Sequence, residues 1–95
     1  MSAYLVFTRE ETLDQKELDT YFSLVTETLE GHPVKPIVTY GKQQSLEGSE
    51  PEGIVILEFP DRESALGWYE SDAYRKVREH RFKGGKYRGT LVEGV

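Results

Sequence analysis

Apolar and polar residues alternate from Ala3 to Thr8, apolar residues recur at three- and four-residue steps from Leu18 to Leu29, and both faces are apolar in the run Ile54 to Phe59. Alternation predicts a first strand over Ala3 to Thr8, since successive side chains of a strand point to opposite faces. The longer period predicts a helix whose stripe is Leu18, Tyr21, Phe22, Val25 and Leu29. Thr12 and Asp14 are alternative N-caps for it, with Gln15 and Glu17 three residues on, and it should run to about Glu30, where Gly31 accepts a left-handed backbone. The third pattern is the most telling. Ile54, Ile56 and Glu58 fall on one face of a strand and Val55, Leu57 and Phe59 on the other, so both faces need cover.

The rest of the chain follows the same logic. His32-Pro33 breaks the helix, and Ile37 to Tyr40 predicts a second strand that could continue past Gly41 through Leu46-Glu47, with Pro36 tolerable at its start or on an edge. Gly48 to Gly53 is rich in turn formers, so the second and third strands should pair as an antiparallel hairpin. Pro60 ends the third strand and Asp61 caps a helix carrying Ala65, Leu66, Trp68 and Tyr69. Ser71 caps a further helical stretch to about Arg81, with Ala73, Tyr74 and Val77 on one face, Arg75 and Lys76 outward, and Arg78 and Arg81 on the flanks. Gly84-Gly85 predicts a turn, and Lys86 to Glu93 a closing strand.

The order is thus βαββαβ, an α+β ferredoxin-like arrangement of a four-stranded antiparallel sheet with helices on one face. One helical layer covers one face of the two-sided strand. The other face calls for a partner sheet, most simply from a second copy of this chain, giving a homodimer.

Composition limits what such a domain can do. Ninety-five residues make one domain, residues 1–95, and a chain of this size buries only about 65% of the surface it exposes unfolded, which makes dimerisation a useful source of further burial. There is no cysteine, which removes disulfides, thiolate metal sites and a Cys nucleophile. The net charge of −5 is uneven. Seven basic residues between Arg75 and Arg88 face only Glu79, whereas residues 1–74 carry five basic and fifteen acidic groups. An acidic body argues against nucleic acid as a partner but leaves a small anion possible. The apolar stretch Ala3 to Phe7 is too short for a signal sequence, and no apolar run could span a membrane, so a cytoplasmic location is expected.

With these elements in place, the chain resembles the bacterial family called domain of unknown function 1330, within the dimeric α/β-barrel superfamily. The residues that carry the resemblance run nearly end to end: Asp14, Tyr21, Leu46-Glu47-Gly48, Glu58-Phe59-Pro60, Glu63, Ala65, Trp68-Tyr69, Ser71, Tyr74, Arg81 and Val92-Glu93-Gly94. The pattern departs at Gly31-His32-Pro33, where a Gly-Gly-basic turn is usual, and at Leu18, where an aromatic is common. The resemblance implies that two sheets pair across a dimer axis into a barrel. It implies no single activity, since relatives in the wider superfamily include cofactor-free monooxygenases acting on quinol-like aromatics, lactone isomerases and haem enzymes.

Among candidate chemical groups, Glu58 ends an apolar row and must be paired, hydrogen-bonded or protonated there. It is a candidate general base, or the structural ion-pair partner of Arg81, Arg78 or Arg88. Arg78 and Arg81 could clamp a carboxylate or enolate oxygen, or be surface charge. Tyr4, Tyr21, Tyr40, Trp68, Tyr69 and Tyr74 could line an aromatic-binding pocket, or be core. His80 is a second candidate for proton transfer, and the plainer account makes it a surface residue compensating the helix dipole. His32 and His80 lie too far apart in sequence for a zinc motif, and no phosphate-cradling glycine loop or Ser/His/Asp set is present, so no metal or cofactor is expected.

Three readings follow for the pocket expected between the sheet and the helices or at the dimer seam. One is a binding module for a small organic acid or aromatic, held by Arg81 and Glu58. The second is a cofactor-free enzyme using Glu58 or His80 to move a proton. The third is a structural dimer without ligand.

Overall fold

The computed structural model describes residues 1–95. The chain runs β1 (Ala3–Thr12), α1 (Gln15–Thr28), β2 (Lys35–Thr39), β3 (Gly53–Phe59), α2 (Arg62–Tyr69), α3 (Asp72–Gly84) and β4 (Gly85–Glu93). The strands form one antiparallel sheet in the order β2-β3-β1-β4, the ferredoxin-like arrangement expected from the element order.

Each helix starts where a short polar side chain caps it. The Asp14 carboxylate accepts from the Lys16 backbone N–H at 3.0 Å, Asp61 from Ser64 at 2.7 Å, and the Ser71 hydroxyl from Tyr74 at 3.2 Å. Of the two caps proposed for α1, Asp14 serves, because Thr12 is still pairing with Gly85 in the sheet. β1 is longer than its apolar alternation, since β4 continues to pair with polar Glu11 and Thr12 beyond a bulge. β2 begins at Lys35 and stops at Thr39, without the continuation to Leu46-Glu47. Tyr40 takes a left-handed backbone (φ 51°), which breaks strand geometry. α1 stops at Thr28, short of Glu30, with Leu29 as its C-cap. α3 runs past Arg81 to Gly84 and passes directly into β4 with no intervening turn.

Gly84 permits the closest contact between α1 and α3. A Cβ there would lie 2.7 Å from the Leu18 side chain and 2.9 Å from its backbone nitrogen. The Gly84 carbonyl also accepts from the Leu13 and Asp14 amides at 2.8 and 2.9 Å, satisfying donors at the start of α1.

One core fills the space between the sheet and the helices: Leu5, Phe7, Tyr21, Leu57, Phe59, Ala65, Trp68 and Tyr74. Ala73, placed on the apolar face of α3 from its spacing, is exposed. Register puts Val6, Ile56, Val38 and Thr90 in one row on the opposite face, with Tyr4, Glu58, Lys35 and Val92 in the next. No helix covers that face. No helix is long and apolar enough to cross a membrane.

Candidate functional site

A cavity of about 230 Å³ lies between α1 and the helix-facing side of the sheet. It exists because α1 packs chiefly on α3 and leaves room above the edge strand β2. Phe7, Val55, Leu57 and Tyr87 form its floor, Tyr21, Phe22 and Val25 of α1 with its C-cap Leu29 form its roof, and Pro36 of β2 and Tyr40 just beyond that strand form its rim. Trp68 and Arg81 close the inner end. An apolar cavity of ~150 Å³ admits benzene, so this one has room for a substituted ring.

Arg81 is the exceptional residue here. It is 4% exposed, and the four ion pairs of the protein are Arg9–Glu52, Arg78–Glu70, His80–Glu17 and Arg88–Glu10, none of which involves it. Its Nε has no hydrogen-bond partner. Instead the guanidinium lies 5.0 Å from the Phe7 and Tyr87 ring centres and 5.1 Å from Phe82. Aromatic faces attract a cation without taking up its in-plane N–H donors, and the Tyr74 oxygen is the hydrogen-bonding neighbour of this guanidinium. Burial works against the charge, but the neighbouring Tyr74 and Tyr21 oxygens hold its pKa above the usual guanidinium value.

Two tyrosine pairs flank this cation. Tyr21 and Tyr74 share a hydrogen bond of 2.8 Å, and Tyr40 and Tyr87 one of 2.6 Å. Burial raises the pKa of Tyr21, Tyr40 and Tyr74 above that of an ordinary phenol, so these hydroxyls stay neutral. Each pair uses one hydroxyl proton internally and leaves the other available to an acceptor. The left-handed Tyr40 swings its ring over Gly53, where a Cβ would lie 2.6 Å from Tyr40 Cε1. Its ring also meets Phe22 edge-on, with Arg9 above it at 5.1 Å.

Of the residues singled out from the sequence, Tyr21, Tyr40, Trp68 and Arg81 line this cavity. Tyr74 backs it through its bond to Tyr21 and its tilted contact with Trp68, ring centres 3.9 Å apart. The others lie elsewhere. Glu58 is on the opposite face of the sheet, so it shares no pocket with Arg81 and forms no ion pair with Arg78, Arg81 or Arg88; its carboxylate accepts from the Tyr4 hydroxyl at 3.0 Å and raises the Tyr4 pKa. Tyr4 is therefore outside the cavity too. His80 Nδ1 lies 2.6 Å from Glu17 Oε2, joining α3 to α1. Arg78 donates to the Tyr69 carbonyl at 3.0 Å and stacks on that ring at 4.5 Å, fixing α2 to α3. Tyr69 faces the outer side of the Arg81 wall. No three His, Asp or Glu side chains cluster as metal ligands would.

Phe7, Phe22 and Tyr87 were not singled out, although all three line the site. The signal for Tyr87 was available: alternation along β4 puts it on the same face as Leu91.

No curated protein matches this chain in sequence. Similar solved structures include a protein of unknown function from Rhodopseudomonas palustris, 14% identical with a TM-score of 0.78, covering 99% of this chain and 82% of that one. An ethyl tert-butyl ether D family protein from Bacillus halodurans is 17% identical with a TM-score of 0.66, and covers 100% of both chains. A provisionally named antibiotic biosynthesis monooxygenase from Nitrosomonas europaea is 15% identical with a TM-score of 0.57, covering 100% of this chain and 99% of that one. At these identities the likeness is one of fold. Sequence goes further: a family model matches residues 2–95, and the chain belongs to the family described as domain of unknown function 1330.

Proposed function

We propose that this protein binds a small planar organic anion in the cavity under α1, with the anionic group on Arg81 and the ring among Phe7, Tyr21, Phe22, Tyr40 and Tyr87. The observation that carries this reading is a buried guanidinium with no acidic partner beside an apolar cavity. An unpaired buried charge costs several kcal/mol, which a bound carboxylate would offset while filling the cavity. Binding is favoured over proton-transfer catalysis because the lining contains no His, Asp or Glu, and its buried tyrosines remain protonated. The purely structural reading rests the buried Arg81 on its aromatic and tyrosine neighbours alone, with no acid to balance its charge.

Benzoate is the simplest probe. Titration by calorimetry or by the Trp68 indole N–H resonance should give a Kd on the order of 0.1–1 mM, roughly 0.5 kcal/mol per heavy atom. Neutral benzamide should bind at least about ten-fold more weakly, since a charge-assisted bond is worth about twice a neutral one. The affinity should be flat from about pH 6 to 9, because no lining side-chain type titrates in that interval, and should fall below about pH 4 as the benzoate itself protonates. Equal affinity for benzoate and benzamide would refute the reading.

We further propose that the uncovered sheet face meets its counterpart in a second copy. Val6, Val38, Ile54, Ile56 and Val92 share that face, and Val92 is 48% exposed. Lys35, Glu58 and Arg88 provide both signs of charge on the same surface, as a self-complementary contact requires. Ile56→Glu would bury a charge at the middle of this contact, so sedimentation at micromolar concentration should show a dimer for the wild type and a monomer for the variant. A wild type that sediments as a monomer contradicts the proposal.

A further inference from the structure

Of the two tyrosine pairs beside Arg81, one has a direction fixed by its surroundings. Tyr21 lines the cavity under α1, whereas Tyr74 is 0% exposed and borders no cavity or groove of the protein. A phenol hydroxyl donates one proton and accepts at its oxygen. Two polar groups share the Tyr74 oxygen, the Arg81 guanidinium and the Tyr21 hydroxyl 2.8 Å away. A guanidinium only donates, so the Arg81 side of that oxygen receives an N–H. The Tyr74 proton is left with one acceptor, the Tyr21 oxygen. The reverse direction, Tyr21 donating to Tyr74, would strand the Tyr74 proton in the core without a partner.

That direction carries through to the cavity. Tyr21 accepts from Tyr74 and makes no other hydrogen bond, so its own proton has no acceptor in the protein. Its ring lines the cavity and its oxygen senses the Tyr40 hydroxyl at the rim, which turns the open donor toward the space a ligand would fill. Arg81 Nε, in contrast, is buried and partnerless and is closed to that space. The chain from Arg81 through Tyr74 to Tyr21 therefore runs from a charge to a hydroxyl, and each bond polarises the next. Its end is a strengthened donor with positive charge behind it. Such a donor discriminates for acceptor atoms that carry a full negative charge.

We propose that Tyr21 is the ligand-contacting donor of this site, giving its hydroxyl proton to the oxyanion of the bound molecule, and that Tyr74 is the positioning residue that aims this donor and links it to Arg81. The proposal rests on the reading of the cavity as an anion site and narrows its ligand class to planar molecules whose negative charge sits on oxygen, as in a carboxylate, enolate or phenolate.

Benzoate titrations of the wild type, Tyr21→Phe, Tyr74→Phe and the double variant test this, with the amide resonances of Val25 and Leu29 in the cavity roof as the readout. All four proteins keep both rings. Tyr21→Phe should weaken benzoate by about ten-fold or more, the loss of a hydrogen bond to a charged acceptor. Tyr74→Phe removes a hydroxyl that borders no cavity, yet it should weaken benzoate by about five-fold. Added to Tyr21→Phe, it should cost less than about two-fold further, because the donor it aims is already gone. Two residues that only shape the cavity would give equal losses in both backgrounds. In the wild type, where nothing is substituted, the Tyr21 hydroxyl proton should move downfield as benzoate saturates the site. The relay is overturned if Tyr21→Phe binds benzoate within about two-fold of the wild type, if Tyr74→Phe costs the same in both backgrounds, or if the Tyr21 hydroxyl proton stays in place at saturation. In each of those cases, wild-type binding of benzoate in preference to benzamide still supports the cavity reading. A wild type that does not bind benzoate overturns both.

Discussion

Arg81→Met abolishes benzoate binding and leaves the fold about as stable as the wild type. Methionine matches the arginine stem and is flexible enough to fill part of the space between Phe7, Tyr87 and Phe82. It removes a buried charge that no acidic residue compensates. Replacing buried ionic groups by apolar ones of similar volume is commonly neutral or stabilising by about 1–4 kcal/mol. Three cation–π contacts are lost, at about 0.5–2 kcal/mol each, which offsets that gain and puts the net change near zero. For a domain of this size each 1 kcal/mol moves the melting temperature by about 4–8 °C. Thermal melts with and without benzoate check both halves: the ligand-induced rise of the wild type should vanish in the variant, while the unliganded melting temperature should hold. A variant that melts far below the wild type would make Arg81 a structural residue. The combination of lost binding and retained stability is the mark of a residue held for a ligand.

Trp68→Ala has the largest expected effect on stability. Trp68 is fully buried, packs against Tyr74 with ring centres 3.9 Å apart, and lies 6.1 Å from Phe59 and 6.5 Å from Phe7. Its indole N–H donates to Thr28 Oγ1 at 3.1 Å, tying α2 to the end of α1. Truncating a buried Trp to Ala costs about 3–5 kcal/mol. A 95-residue domain has a total stability of about 5–14 kcal/mol. The variant should therefore melt roughly 15–30 °C lower. Urea unfolding followed by circular dichroism measures the loss, because the substitution removes the only tryptophan and its fluorescence. Trp68→Phe, which keeps a ring but gives up the hydrogen bond, should fall between the two. A loss below about 1 kcal/mol for Trp68→Ala would mean that the Trp68 cluster is not the centre of the core.

The contrast between Glu58 and Arg81 marks how far the sequence could be read. Alternation settles that Glu58 and Ile56 lie opposite Leu57 and Phe59. It leaves open which of the two faces the helices take. That choice comes from Trp68, Tyr74 and Ala65, whose combined shape packs onto Phe59, Leu57 and Phe7, and it strands Glu58 on the far side with Tyr4. Likewise the flank position of Arg81 follows from helical spacing, but its missing partner does not, because an ion pair needs two side chains brought together from distant elements. Tyr40 is a third case. Its left-handed backbone is not encoded by any local preference of tyrosine, and persists because the ring finds Tyr87 and Phe22 across the cavity mouth.

What the sequence determined by itself was the order of elements, the caps at Asp61 and Ser71 with the choice for α1 narrowed to Thr12 or Asp14, and the existence of a strand with two apolar faces, all of which are short-range properties of backbone geometry and side-chain period. Only the tertiary structure decided where the cavity lies, which tyrosines pair across it, and that Arg81 enters it without an acid. Those features depend on how far α1 stands from the sheet and on contacts between residues more than fifty positions apart, such as Tyr21 with Tyr74. No local pattern carries such distances; packing does.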